Sequence, residues 1–158
     1  MRKSLLPVLA LVVIVVGLSF AQTRKSMKKP AAPGPDKAYM QQIWDGWSTL
    51  DTSHVAQFYA SGPHAFFDLA PLKYSSWTDY ESGVKNILAG YKSATFTVND
   101  DAEVHHHGDL AWGTATVKED AALKSGKHEL ATIRWTVIWE NQSGKWLIVH
   151  EHASEPLQ

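Results

Sequence analysis

Apolar positions change their period once along this chain. Tyr39, Met40, Ile43, Trp44, Trp47 and Leu50 recur near every 3.6 residues, and Asp36 is placed to cap the first turn of the helix they predict. Asp51-Thr52-Ser53 offers a fresh start for a short helix from His54 to Tyr59. Ser61-Gly62-Pro63 breaks the helical pattern, Phe66-Phe67-Asp68 reads as extended, and Pro71 forbids helix. A third helix is predicted from about Trp77 to Ala89, capped by Ser75 or Ser76 and closed by Gly90. Beyond it the period falls to two: Phe96, Val98, Ala102 and Val104 predict one strand, Leu110 to Lys118 a second, Glu129 to Glu140 a third and Trp146 to Ala153 a fourth. Turns at His107-Gly-Asp109, Lys124-Ser-Gly126 and Gln142-Ser-Gly144 join neighbouring strands. Helices followed by consecutive antiparallel strands make an α+β domain with its helices gathered on one face.

Two strands carry more than this outline. Ile133, Trp135, Val137 and Trp139 alternate with Thr132, Arg134, Thr136 and Ile138, so neither face of the third strand is fully polar and both are expected to be covered. On the fourth, strict alternation sets Trp146, Ile148, His150, His152 and Ser154 on one face. Two imidazoles and a hydroxyl beside an apolar, aromatic wall are the makings of a small-molecule pocket. Seven Trp in 158 residues point the same way, to a hollow domain rather than a plain sheet.

The N-terminus belongs to a different pattern. Arg2-Lys3, the apolar run from Leu5 to Leu18 and then Ser19-Phe20-Ala21 have the order of a secretory signal peptide, residues 1–21, and predict export to a periplasmic or secreted location. A second reading keeps the segment as a membrane anchor, because the run approaches spanning length and Arg24, Lys25, Lys28 and Lys29 follow it. Residues 22–35, rich in Lys, Ala, Gly and Pro, predict a disordered tether. What remains, residues 36–158, suffices for one domain. Cleavage after Ala21 removes two positive charges and no acid, taking the formal charge from -1 to -3, a balance that implies no nucleic-acid partner. Absence of cysteine excludes disulfides, thiol chemistry and a lipidated cysteine.

Arg134-Trp-Thr-Val-Ile-Trp139, Ser143-Gly-Lys-Trp146 and His150-Glu-His152-Ala-Ser154 resemble the closing hairpin of SnoaL-like, nuclear transport factor 2-like domains, and also that of the calcium/calmodulin-dependent protein kinase II association domain. Phe66-Phe67-Asp68-Leu-Ala-Pro71-Leu-Lys-Tyr74, with Trp77, Tyr80 and Gly83, is similar to the segment joining the early helices there, and Gly108-Asp109-Leu-Ala111-Trp112 extends the resemblance from about Asp36 to Pro156. It implies a cone-shaped fold in which three N-terminal helices pack on a strongly curved, mainly antiparallel sheet. It implies further a cavity under the helices and a homodimer built on the outer sheet face. The kinase association domain has its arginine at the position of Val137, so the match at Arg134 is to the SnoaL-like side. Ketosteroid isomerases share the resembled fold, but their pairing of an aspartate base with a tyrosine and a protonated acid is not recognisable here.

Arg134, on a mostly apolar strand, needs an anion. It is a candidate to bind a ligand carboxylate or enolate-like oxygen, or else to pair with Asp68 or Glu151. His150 and His152 share a face and can exchange protons near neutral pH or donate hydrogen bonds. Asp68 follows two phenylalanines, where desolvation raises a carboxyl toward the range useful in proton transfer, and it can equally cap a turn. Asp68 and His152 are therefore the candidate catalytic groups, with Arg134, His150, His152, Trp112 and Trp146 as candidate ligand contacts. Ser154 reads as a bracing hydroxyl. No cofactor or metal is expected: a metal on the two histidines lacks a third ligand, and His105-His106-His107 lies at a turn where histidines are solvated. The expected function is binding of a small, partly apolar organic molecule, with proton transfer, cyclisation or hydrolysis as its chemistry. The alternative is a non-catalytic oligomerisation or ligand-binding module.

The export reading is checked by N-terminal sequencing of protein recovered from the exporting cell. A chain beginning at Gln22 in the soluble exported fraction is expected; an intact N-terminus in the membrane fraction establishes the anchor instead.

Overall fold

A computed structural model describes residues 34–156. The signal segment and nearly all of the tether lie outside the described residues; of the tether, Gly34 and Pro35 are described, and Pro35 is fully buried.

Helix α1, Lys37–Ser48, starts where Asp36 accepts the Tyr39 N–H at 2.8 Å, and its apolar stripe of Met40, Ile43, Trp44 and Trp47 is buried. The expected second helix is instead two single 3₁₀ turns, Thr52–His54 and Ala56–Phe58. So short a segment repays little of the cost of nucleating an α-helix, and the tighter turn satisfies its ends with i→i+3 bonds. Strand β1, Phe66–Phe67, follows, and then α2, Trp77–Leu88, capped by Ser76 at 3.1 Å from the Asp79 N–H and burying Tyr80, Val84 and Leu88. Gly83 in α2 is required by its neighbour: a Cβ there would meet the Tyr74 ring at 2.3 Å.

Five longer strands complete the domain: β2 (Tyr91–Val98), β3 (Glu103–His107), β4 (Leu110–Leu123), β5 (His128–Gln142) and β6 (Lys145–Ser154). The sheet runs β1-β6-β5-β4-β2, antiparallel except for β1 on β6, with β3 also on β4. It curls without closing, and the helices cover its concave face. The expected single strand from Phe96 to Val104 is two strands sharing one edge of β4, which is longer than the sequence pattern suggested. They part at Thr116, whose N–H and hydroxyl donate to Asp101 at 3.0 and 2.7 Å, so a side chain replaces the ladder where the chain turns. Ser143 and Gly144, with φ of 57° and 90°, form the two-residue turn between β5 and β6.

The concave face is packed with aromatic rings, among them Trp44 edge-on to Trp135 at 5.4 Å and tilted against Phe96 at 5.1 Å. Which β6 residues reach that face is set by a β-bulge. Trp139 pairs with Ile148 and Ile138 with His150, leaving Val149 as an extra residue in β6. Trp146 and Ile148 before the bulge, and Glu151 and Ala153 after it, are buried on the concave side. The strict alternation that would place His150, His152 and Ser154 beside Trp146 does not hold, because one inserted residue transfers every later side chain to the other face.

Deleting Val149 is expected to cost on the order of 3 kcal/mol or more and to abolish cooperative unfolding, since a regular strand would turn Glu151 out and two imidazoles in. Val149→Ala, which keeps the count, is expected to cost about 1 kcal/mol or less. A deletion variant that melts within a few degrees of the parent contradicts this role for the bulge.

Candidate functional site

Between the helices and the concave sheet face lies a cavity of about 350 Å³, in the range of small-molecule sites. Trp44 and Trp47 of α1, Tyr80 of α2, Phe96 of β2 and Trp135 of β5 give it an aromatic wall. Three acids enter that wall: Asp68 just after β1, Glu119 of β4 and Glu151 of β6. Among the described residues, no Lys, Arg or His lines it.

Glu151 is 2% exposed. The bulge turns it inward opposite Val137 of β5, while β1 places Phe66 on its other side. The Tyr59 hydroxyl donates to its Oε1 at 2.9 Å and the Trp135 indole N–H to its Oε2 at 3.0 Å. Burial pushes the carboxyl from its ordinary 4.5 up to about 7; the donors Tyr80, Trp135 and Tyr59 oppose the rise, and Asp68 adds to it. Tyr59, stacked on Trp77 at 4.2 Å, and Tyr80 are driven well above the usual tyrosine range, chiefly by burial and then by the nearby Glu151, so both hydroxyls keep their protons.

Asp68 accepts the Leu69 N–H at 2.8 Å, and burial nonetheless raises its carboxyl. It lines both the cavity and a surface groove that holds His152, so it stands at the opening between them. Glu119 is 5% exposed, and its Oε1 is buried without a hydrogen-bond partner. Burial pushes this carboxyl up as well, against the Tyr91 hydroxyl, which favours its ionised form.

Of the residues singled out from the sequence, Asp68 alone lines the cavity. His152 is exposed in the neighbouring groove. His150, on the convex face, holds the Ala65 carbonyl at 2.7 Å from Nδ1 and meets the edge of Phe67 at 5.4 Å. Trp112, 43% exposed, stacks on His105 at 5.3 Å, and the strand register lines it up with Ile138 and His150 across the same convex face. Arg134 is exposed there too, its Nη2 donating to the Glu155 carbonyl at 2.7 Å rather than meeting Asp68 or Glu151. Trp146 is buried on the concave face outside the cavity, with His106 at its edge at 6.0 Å and the Tyr39 hydroxyl donating to its carbonyl at 2.7 Å. The structure thus gathers Trp112 and His150 on the outside and Asp68 with His152 at the mouth, and puts two other acids within.

Neither inner glutamate stood out in the sequence as a cavity residue, Glu151 having entered only as a candidate partner for Arg134. Glu119 left a trace: it interrupts the small apolar inward positions Ala111, Gly113, Ala115, Val117 and Ala121 of β4. Glu151 left none, because an unbroken alternation places it outside.

The family model of the SnoaL-like domain matches residues 37–158. No curated protein matches the chain. Among solved structures, the chain is similar to a nuclear transport factor 2-like superfamily protein from Salmonella enterica serovar Typhimurium, at 17% identity over 77% of this chain and 92% of that one, with a TM-score of 0.67. A candidate calcium/calmodulin-dependent protein kinase II association domain from Xanthomonas campestris is 21% identical over 77% of this chain and 85% of its own, with a TM-score of 0.67. A candidate dehydratase of the nuclear transport factor 2-like family from Streptomyces avermitilis is 16% identical over 79% of this chain and all of its own, with a TM-score of 0.66. At these identities the likeness is one of fold.

Glu151 gives stability a defined pH dependence. In the folded protein it takes up its proton near pH 7, and in the unfolded chain near 4.5, so between those values the folded state binds the extra proton. Its contribution is full below about pH 4.5, falls by on the order of 3 kcal/mol as pH rises to 7, and is level above that. Glu151→Gln removes this loss. Denaturant unfolding of parent and variant at pH 5 and pH 8 is expected to show the variant gaining relative stability at the higher pH; an unchanged difference contradicts the assignment.

Proposed function

The chain belongs to the SnoaL-like domain family, and on that premise we propose that it is an exported domain whose cavity binds a small, partly apolar organic molecule and moves a proton on it. One observation carries this reading: a buried carboxyl with its pKa near 7 sits in the wall of an aromatic cavity. At neutral pH Glu151 is divided between its two protonation states, so it can accept a proton from a bound molecule or return one. Tyr59 and Trp135 fix its orientation, which is what a general acid-base needs. Asp68, at the opening, is suited to pass the proton outward, with His152 next to it in the groove. Proton transfer of this kind is a step common to isomerisation, cyclisation and elimination, and the description of the Streptomyces avermitilis neighbour as a candidate dehydratase is consistent with it.

A non-catalytic binding or assembly module is the second reading. It draws on the fact that both Glu151 oxygens already accept a hydrogen bond, as a purely structural acid would. The row of Trp112, Ile138 and His150 on the convex face suits a homodimer under either reading.

Exchange of the α-hydrogens of 2-tetralone into deuterated water, followed by NMR on the full chain, separates the two. The parent is expected to accelerate exchange, and Glu151→Gln to lower the rate by roughly a hundredfold or more while the fold is retained. Equal rates for parent and folded variant remove the acid-base role and leave the binding module.

A further inference from the structure

Glu119 is the acid of the cavity that the fold answers least: the Tyr91 hydroxyl favours its ionised form, but one of its oxygens is left without a partner. The β4 face on which it stands is otherwise made of small apolar residues, and its buried Oε1 finds no donor within the protein. The charged groups that act on it most strongly, Glu155, Glu129 and Asp68, are all acids, and among the described residues no Lys or Arg lines the cavity beside it. A buried carboxyl held in such surroundings calls for positive charge from outside the chain. The walls within the same cavity, Trp44, Trp135 and Phe96, present aromatic rings, which attract an organic cation through their quadrupoles while accepting its apolar body. A bare metal ion fits less well: it needs several oxygen or nitrogen ligands at once, and among the described residues no group of three His, Cys, Asp or Glu is arranged to hold one.

We propose that the cavity selects an organic amine bound as its ammonium ion, donating an N–H to Glu119 and laying its apolar body against Trp44, Trp135 and Phe96. This rests on the cavity being the ligand site, as in the proposed function, and adds the charge of the guest. It also gives Glu119 and Glu151 separate roles, one holding the guest by its charge and the other exchanging its proton. A bound cation lowers the pKa of Glu151, so more of it is ionised at pH 7 in the loaded cavity, though each carboxylate is then a weaker base.

Titration calorimetry of the full chain at pH 7 with 2-phenylethylamine and with its neutral isostere 2-phenylethanol tests the assignment. The amine is expected to bind about tenfold more tightly than the alcohol or better. Glu119→Gln is expected to bring the two within roughly twofold of each other by weakening the amine alone. Equal affinity in the parent, or a preference for the amine that survives in a folded Glu119→Gln, overturns the amine assignment and leaves the cavity as a binding site. Binding of neither probe at millimolar concentration overturns both. The comparison within the parent decides whether the cavity selects a cation even if that variant does not fold, and Glu119→Asp, which keeps the charge, is then expected to retain the preference.

Discussion

The place of Glu151 in the interior follows from one extra residue in the last strand. Val149 has no partner in the β5–β6 ladder, and its presence exchanges the faces of all the side chains that follow. With it, Glu151 is carried into the aromatic interior and His150 and His152 are carried out. An acid is costly to bury there, and the structure meets that cost with Tyr59 and Trp135, each placed by a different part of the fold. Tyr59 leaves the second 3₁₀ turn to bridge β6 at Ile148, and Trp135 is held edge-on by Trp44 of α1. Helix, turn and sheet therefore converge on one carboxyl.

Burial and hydrogen bonding pull against one another at this point. Donors alone could bring Glu151 back to an ordinary carboxylate, and apolar packing alone could keep it protonated throughout the neutral range. The balance between the two leaves its pKa at about 7, where its charge is poised. Glu119 is handled differently: its Oε1 is buried without a partner, and burial pushes its carboxyl up despite the Tyr91 hydroxyl. Asp68, at the opening and partly exposed, completes a line of acids from the interior to the surface.

Much of the architecture was legible in the sequence because it rests on periodicity. The two α-helices, the hairpins of the sheet and the burial of Trp44, Trp47, Trp135 and Trp139 are all readable from spacing. The segment from His54 to Tyr59 was misread because helical spacing over so few residues does not distinguish an α-helix from successive 3₁₀ turns. The split between β2 and β3 depends on Asp101 reaching Thr116, a contact between residues with no local mark. The site itself was only partly legible. Asp68 announced itself through its apolar neighbours, but a bulge has no reliable signature in an alternating run, so the imidazoles were expected where the carboxyl stands. Arg134 is a different case: it lies on the outward positions of β5 between Thr132 and Thr136, and within the structure it donates to a neutral backbone carbonyl beyond the end of β6.

The central claim is that Glu151 is an interior acid whose proton is held by its surroundings, and the most direct measurement of it is a carbon-13 NMR titration of the glutamate side-chain carboxyls, with the Glu151 resonance assigned by its loss in Glu151→Gln. The account predicts a midpoint for Glu151 near 7, well apart from the surface glutamates. A midpoint close to the ordinary 4.5 would contradict a proton held by the surroundings, and the acid-base chemistry built on Glu151 would fail with it.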